Sequence, residues 1–321
     1  MRYGVPYTGS KNGIAKWVLS NLPRAKNFVD VFAGGCAITH AALLSGKYEN
    51  FIANDLSPAP QLFLDAIHGK YRNEKRWISR EDFFRLKDTD AYVKYCFSFG
   101  NNGTSYAYGK SEKQKEALHY AIVFDDWVRF DKLLPDFSDV CRQTVQGMTD
   151  ITERRHKICY LVKIQMAHLQ RLQRLQNLER VENLQALQNL QNLTISKSDY
   201  RRILIPQDAV IYCDPPYIGT DCRYGYSIDG MNSKYGRNVD YEEFYQWCER
   251  QENLVVVSEY TMPKDRFVRV AMKEKRQTLS ATANSKIKEE GLYVPRAQEA
   301  MYWRMMNDEP MNEFYERRAT V

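Results

Sequence analysis

The stretch of this chain best equipped for chemistry is Val210-Ile211-Tyr212-Cys213-Asp214-Pro215-Pro216-Tyr217. An apolar run suited to a buried strand stops at an acid, two prolines and an aromatic ring. Proline fixes φ and lacks an N–H, so a central strand cannot continue through this point. The carbonyls of Pro215 and Pro216 and the ionised carboxylate of Asp214 can only accept hydrogen bonds. A cluster of acceptors suits an –NH₂ donor, and Tyr217 offers a face on which a planar base can stack. The plainer reading, a Pro-Pro turn with a capping Asp, leaves the other strand ends unexplained.

Two further strand ends carry matching features. Residues 27–32 (NFVDVF) read as a buried strand, followed by the turn AGGCA and the helical stretch ITHAALLSG. Residues 50–55 (NFIAND) read as a second strand closing on Asp55, which completes the opening βαβ unit of a doubly wound sheet. Gly34 and Gly35 let backbone approach a ligand closely. Asp55 follows that turn by about 20 residues, the spacing at which a carboxylate takes hydrogen bonds from both hydroxyls of a ribose. An N-cap role in NDLSP competes for Asp55. Neither G-x-G-x-x-G nor G-x-x-x-x-G-K-[ST] occurs, which disfavours the standard dinucleotide and phosphate-cradling sites. Glycine turn and acid together point to an adenosine-bearing ligand with no required pyrophosphate.

The elements that must position these residues follow from periodicity. Residues 61–165 are rich in charge and aromatic rings, with helical spacing and no clear run of strands. Alternation resumes at LTIS (193–196) and AVIYC (209–213). A helix over 240–251 and a strand at NLVVVSEY (253–260) follow, and AMYWRM (300–305) reads as a C-terminal strand. The expectation is an α/β fold: residues 1–60 and 194–321 form the sheet domain and 61–167 a mostly helical insertion. Residues 168–193 form a Leu/Gln-rich spacer with leucine or valine at every third position. Three residues turn an α-helix by about 300°, so such a stripe winds round the helix and forms no heptad seam. A variable helical spacer fits this pattern better than a partner-binding ladder.

Composition narrows the classes. The chain has 321 residues, 44% apolar, with a formal charge of +6, which is compatible with a nucleic-acid partner. Seven scattered cysteines without a C-x-x-C pair, and five dispersed histidines, argue against a zinc site and for a reducing, cytoplasmic setting. Neither a signal peptide nor a run of roughly 20 apolar residues is present, so no membrane association is expected.

The combination of FAGGCA, ANDLSP and DYRRILIPQDAVIYCDPPY resembles the DNA adenine-N6 methyltransferases of the Dam type. The opening PYTGSK (6–11) is similar to that family's first motif, and the similarity extends to about residue 303. The resemblance implies a Rossmann-like methyltransferase sheet with an inserted target-recognition domain, S-adenosylmethionine as cosubstrate and no metal. It implies cosubstrate contacts from Tyr7, Lys11, Phe32, Gly34, Gly35, Asp55, Asp199, Tyr200 and Asp214, with Asp199 and Tyr200 flanking the cosubstrate adenine. It further implies double-stranded DNA as partner and a monomer, with a dimer through the leucine ladder as the alternative. Three features depart from the pattern: the leucine ladder, the sparse arginine content of 96–110, and one position of the glycine motif. Cys36 stands where the family's F-x-G-x-G has its second glycine, and a positive φ there would be strained.

The chemistry then expected is direct methyl transfer to the exocyclic nitrogen of an adenine flipped out of the duplex. Asp214 and the Pro215 carbonyl would accept its two N–H groups, Pro216 would stiffen the turn and Tyr217 would stack on the base. Within the insertion, CFSFGNNGTSYAYGK (96–110) is similar to the family's target-recognition loop. Lys94, Asn101, Asn102, Tyr106, Tyr108, Lys110 and Lys113 are the candidate DNA contacts. The alternatives are a cytosine amino group, an RNA adenine, a protein glutamine or an inactive DNA-binding module. No Pro-Cys dipeptide occurs, so the covalent route to ring-carbon methylation is disfavoured.

Overall fold

The computed structural model describes residues 2–109, 112–133, 135–165, 178, 180–181, 184, 192–217, 239–276 and 287–307. The chain divides into two compact units, one of Met1–Gly4, Ser10–Pro60 and Leu190–Val321, the other of Val5–Gly9 and Gln61–Asn189.

The first unit is a seven-stranded sheet: β1 (Asn27–Asp30), β2 (Asn50–Asn54), β3 (Leu193–Ser196), β4 (Ala209–Cys213), β5 (Leu254–Glu259), β6 (Phe267–Arg276) and β7 (Ile287–Pro295), in the order β3-β2-β1-β4-β5-β7-β6. The first five strands run parallel, and β7 is antiparallel to both β5 and β6. Strands β1, β4 and β5 are buried at every position, which is why they read as unbroken apolar runs instead of alternating ones. The order reverses between β1 and β4. At such a switch point the connections leave the sheet on opposite sides, and open α/β sheets bind their ligands there, at the carboxyl ends of the strands. Both the glycine turn after β1 and Asp214 after β4 lie there.

Two elements differ from the sequence reading. AMYWRM is not a strand: it lies within the helix Glu299–Asn307. Pro295 ends β7, and Gln298 then turns the chain off the sheet. Its side chain accepts from the Val255 N–H at 2.8 Å and donates to the carbonyls of Gln251 and Asn253. Glu, Ala, Met and Arg are good helix formers, and the buried Tyr302 fastens the helix by donating to the Asn21 carbonyl. The C-terminal strands are instead β6 and β7. In β6 the charges of Arg269, Lys273 and Glu274 hide the strand pattern, yet they suit a sheet edge that must resist further pairing.

The helix Ala37–Leu43 after the glycine turn starts unusually. Its N-cap, Cys36, has φ 57° and ψ 34°, left-handed values, and supplies no side-chain cap. Asp30 at the end of β1 does that work: its Oδ2 accepts from the Thr39 N–H at 3.2 Å and the Thr39 hydroxyl at 2.7 Å. The family's glycine is therefore replaced by a residue held at a glycine-like dihedral. A β-branched side chain tolerates this conformation least. Cys36→Val is expected to lower the unfolding free energy by about 1–2 kcal/mol, read as a reduced urea midpoint with an unchanged slope.

Among the described residues the second unit is helical, with helices over Arg80–Leu86, Ala91–Cys96, Glu112–Phe124, Val128–Asp131, Pro135–Val145 and Ile151–Gln165. Most of the leucine ladder lies outside the described residues. Four of its positions are described: Leu178, Val181 and Leu184 are buried, and Leu193, which opens β3, is half-buried.

Candidate active site

At the carboxyl end of β4 the Asp214 side chain is 18% exposed, with Lys11 Nζ 2.9 Å from its Oδ1. Lys11 is buried and sits 3.4 Å from Oε1 of Glu290 as well. One ammonium therefore bridges two carboxylates. Glu290 Oε1 also accepts from the Ser258 hydroxyl at 2.6 Å and from the Tyr217 hydroxyl. The Lys11 ammonium lies 4.3 Å from the centre of the Tyr217 ring, a cation–π contact, and Tyr260 meets that ring edge-on at 4.5 Å. Tyr241 donates to the Pro216 carbonyl, anchoring the second proline from the helix Tyr241–Glu249.

The sheet explains this convergence. Cys213 pairs with Val257, so Asp214 is the lateral neighbour of Ser258. Because β7 runs antiparallel, with Ser258 opposite Leu292 and Glu259 opposite Gly291, Glu290 arrives at the same end of the sheet. Burial disfavours the charged form of Asp214 and moves its carboxyl up; the adjacent Lys11 opposes this and Glu290 reinforces it. Lys11 is moved up despite burial, because Asp214 and Glu290 both favour the ammonium.

The glycine turn forms a second cluster within the same unit. Asp55 accepts from the Gly34 N–H with Oδ2 and from the Ser57 N–H with Oδ1, each at 2.8 Å. It is half-buried, and each oxygen keeps acceptor capacity for a ligand hydroxyl. Gly35 lies under the N-terminal strap, where a Cβ on Gly4 would stand 2.1 Å from the Gly35 carbonyl oxygen. Buried His40 fastens that strap by accepting from the Gly4 N–H at 2.9 Å, with the Tyr3 ring edge-on at 5.3 Å. Phe32 packs on Tyr200 at 5.5 Å and on Phe244 at 5.7 Å. Asp199 is clamped by Arg201, whose Nε and Nη2 reach its two oxygens at 2.7 and 2.6 Å and hold its carboxyl below the usual range.

Sequence reasoning missed Glu290, Ser258 and Tyr241, and also Asn54. Asn54 donates to the carbonyls of Val31 and Ser198 at 3.0 Å and accepts from the Ser198 N–H at 3.0 Å. It ties the Asp199-Tyr200 segment to the end of β1. Its place in ANDLSP was the available signal; the other three had none without strand register.

In the second unit Tyr7 is half-buried, 5.3 Å from the Tyr95 ring. Ser98 bridges Tyr106 antiparallel, closing a small hairpin with positive φ at Gly100, Asn101 and Gly103. Asn101 donates to the Tyr95 carbonyl at 2.8 Å, and Asn102 accepts from the Thr104 N–H at 2.8 Å, so both shape the loop. Tyr106, Tyr108 and Lys94 are buried beneath it, Tyr108 stacked on Trp77 at 5.4 Å. The exposed residues of the hairpin are Phe99, Gly100, Thr104 and Ser105, with Gly109 after it and Lys113 on the following helix exposed as well; Lys110 lies outside the described residues. Among the described residues no helix is long and apolar enough to cross a membrane, and no three His, Cys, Asp or Glu side chains group to hold a metal.

No curated protein matches this chain. The family model described as D12 class N6 adenine-specific DNA methyltransferase matches residues 7–287, most of the chain's length and all of the strands of the sheet up to the start of β7. With an acid-proline-proline-aromatic turn at the switch point of a mixed seven-stranded sheet, and that match across it, the chain belongs to the D12 class N6 adenine-specific DNA methyltransferases.

Proposed function

We propose that the protein methylates adenine N6 at specific sites in double-stranded DNA, with Asp214 and the Pro215 carbonyl gripping the amino group of a flipped base. The observation that carries this reading is the fixed Asp214, held at the sheet's open end by Lys11 on Oδ1 while its side chain stays 18% exposed. The N6 lone pair is delocalised into the ring, so the amine is a weak nucleophile. Two acceptors on its hydrogens favour a pyramidal nitrogen and stabilise the positive charge that grows on it. Asp214 need not remove a proton first, since a charge-assisted hydrogen bond suffices. Tyr217, its hydroxyl anchored on Glu290, offers the base a ring of fixed orientation. Pro216, held by Tyr241, keeps the turn rigid.

The family implies S-adenosylmethionine, which when bound supplies the methyl group from its sulfonium. The residues at the glycine turn fit it: Asp55 for the ribose hydroxyls, Gly34 and Gly35 for close backbone approach, and Phe32 and Tyr200 as aromatic surface for its adenine. Asp199, Lys11 and Tyr7 complete the proposed contacts. For DNA, the exposed tip of the 98–106 hairpin is the proposed contact surface, with Asn101, Asn102, Lys94, Tyr106 and Tyr108 supporting its shape.

The test is transfer of labelled methyl from S-adenosylmethionine to duplex DNA, followed by nucleoside analysis and strand sequencing. N6-methyladenine in one sequence context supports the reading. Label on cytosine, or tight DNA binding with no incorporation, overturns it. Gly4→Ala drives a methyl group into the glycine turn, and is expected to weaken cosubstrate binding by about tenfold or more, measured by calorimetry without DNA.

A further inference from the structure

We propose that Glu290, on β7, is a positioning residue for methyl transfer: by sharing the Lys11 ammonium it keeps the Asp214 carboxylate a strong acceptor for the substrate amine. The inference rests on the role assigned to Asp214 above.

The geometry carries it. Lys11 lies 2.9 Å from Asp214 and 3.4 Å from Glu290, and neither Lys11 nor Glu290 has appreciable access to water. In so dry a site a lone ammonium at 2.9 Å would neutralise Asp214 and spend its acceptor strength on the lysine. The second carboxylate changes that balance. Lys11 divides its charge between two carboxylates and does not devote it all to Asp214, the member of the three with exposure. Three donors converge on one Glu290 oxygen, namely Ser258 at 2.6 Å, the Tyr217 hydroxyl and Lys11, and donors of this kind favour a carboxylate over its acid. A residue with only a structural task at this position would need no charge.

Acceptor strength rises with basicity, so the same charge that strengthens Asp214 also moves its carboxyl up. The charged and titratable groups around the pair are Lys11, Asp30 on β1, Tyr212 and Tyr217 flanking Asp214, and Tyr260 after β5, with Glu259 behind it. Burial moves Tyr212, Tyr217 and Tyr260 up, so these phenols stay neutral throughout the acid range. Asp30 titrates at about 7, so the acid limb is also recorded in an Asp30→Asn background.

The experiment compares kcat and KM across pH for wild type, Glu290→Gln and Glu290→Asp, with cosubstrate binding by calorimetry as the check on folding. Glu290→Gln keeps an acceptor for Tyr217 and Ser258 but removes the charge. It is expected to lower kcat about 10- to 100-fold, with both KM values within about threefold, and to move the acid limb to lower pH by about one unit. Glu290→Asp restores the charge and returns the limb to its wild-type position. Unchanged kcat in Glu290→Gln, or a lowered kcat with an unmoved limb, overturns the proposal. Should Glu290→Gln not fold, Glu290→Asp decides alone: a limb that shifts although the charge is retained overturns it, and a limb in place with reduced kcat supports it. An active Asp214→Ala would defeat the underlying reading, whereas an inactive Asp214→Ala with a normal Glu290→Gln defeats only this inference.

Discussion

Asp214→Ala is expected to lower kcat for methyl transfer by about a thousandfold or more while the protein stays folded. Chemistry and folding both enter. The carboxylate is the only anionic acceptor proposed for the amine, and its stabilisation of charge at nitrogen is realised in the transition state far more than in the ground state. Loss of such an interaction appears in kcat, and in kcat/KM equally. Removing one partner of a buried ion pair ordinarily strands a charge at a cost of several kcal/mol, but here Lys11 retains Glu290. The variant should therefore stay folded, so loss of activity reports chemistry and not collapse. Single-turnover assays at saturating DNA, paired with thermal melting, make the measurement. A variant that melts like wild type and still turns over within tenfold of it would remove Asp214 from the mechanism.

The second large effect concerns stability and pH. Asp30 is 1% exposed and lies among acids; burial drives its carboxyl up to about 7, opposed by its hydrogen bonds from Thr39 and reinforced by the charges of Asp214 and Asp55. Below about pH 4 both folded and unfolded chains hold the proton, and the folded state has its full advantage. Between about pH 4 and 7 only the folded chain holds it, so stability falls as pH rises through that window. A rise from 3.8 to about 7, at about 1.36 kcal/mol per unit, amounts to roughly 4 kcal/mol. Asp30→Asn keeps an oxygen for Thr39 and cannot ionise. Its unfolding free energy, measured in urea, should gain on wild type steadily from pH 5 to about pH 7 and level off above that. Burial also moves Asp55 and Asp214 up, and their coupling to Asp30 enters the difference along with Asp30 itself. Parallel curves for the two proteins would show that Asp30 does not titrate in this range.

Local pattern carried much of the fold. β3 and β4 lie at 193–196 and 209–213 as their sequences imply, because unbroken runs of β-branched and aromatic residues bounded by proline, glycine and acids have few other conformations open to them. At Cys36 the sequence showed only that a positive φ would be strained; that the residue adopts one, with φ 57°, came from the structure. The C-terminal region was not legible. In AMYWRM alternation of size resembles a strand, but Gln298 decides the outcome by hydrogen bonding to β5 and the residues preceding it, segments more than forty residues away in the chain. In β6 a charged edge strand has no apolar signature of its own and exists because β7 offers it a partner.

The amino-acid sequence by itself determined the chemistry: an acceptor-only turn at a strand end, a glycine turn with an acid after the next strand, and hence an amine substrate and an adenosine-bearing donor. These are properties of residue type and short spacing, and they survive without coordinates. Only the tertiary structure decided what surrounds Asp214. The antiparallel register of β7 on β5 delivers Glu290 to the open end of the parallel strands, where Lys11, Ser258 and Tyr217 already converge. Register is set by pairing between distant strands, and one residue of slip would turn Glu290 to the opposite face of the sheet.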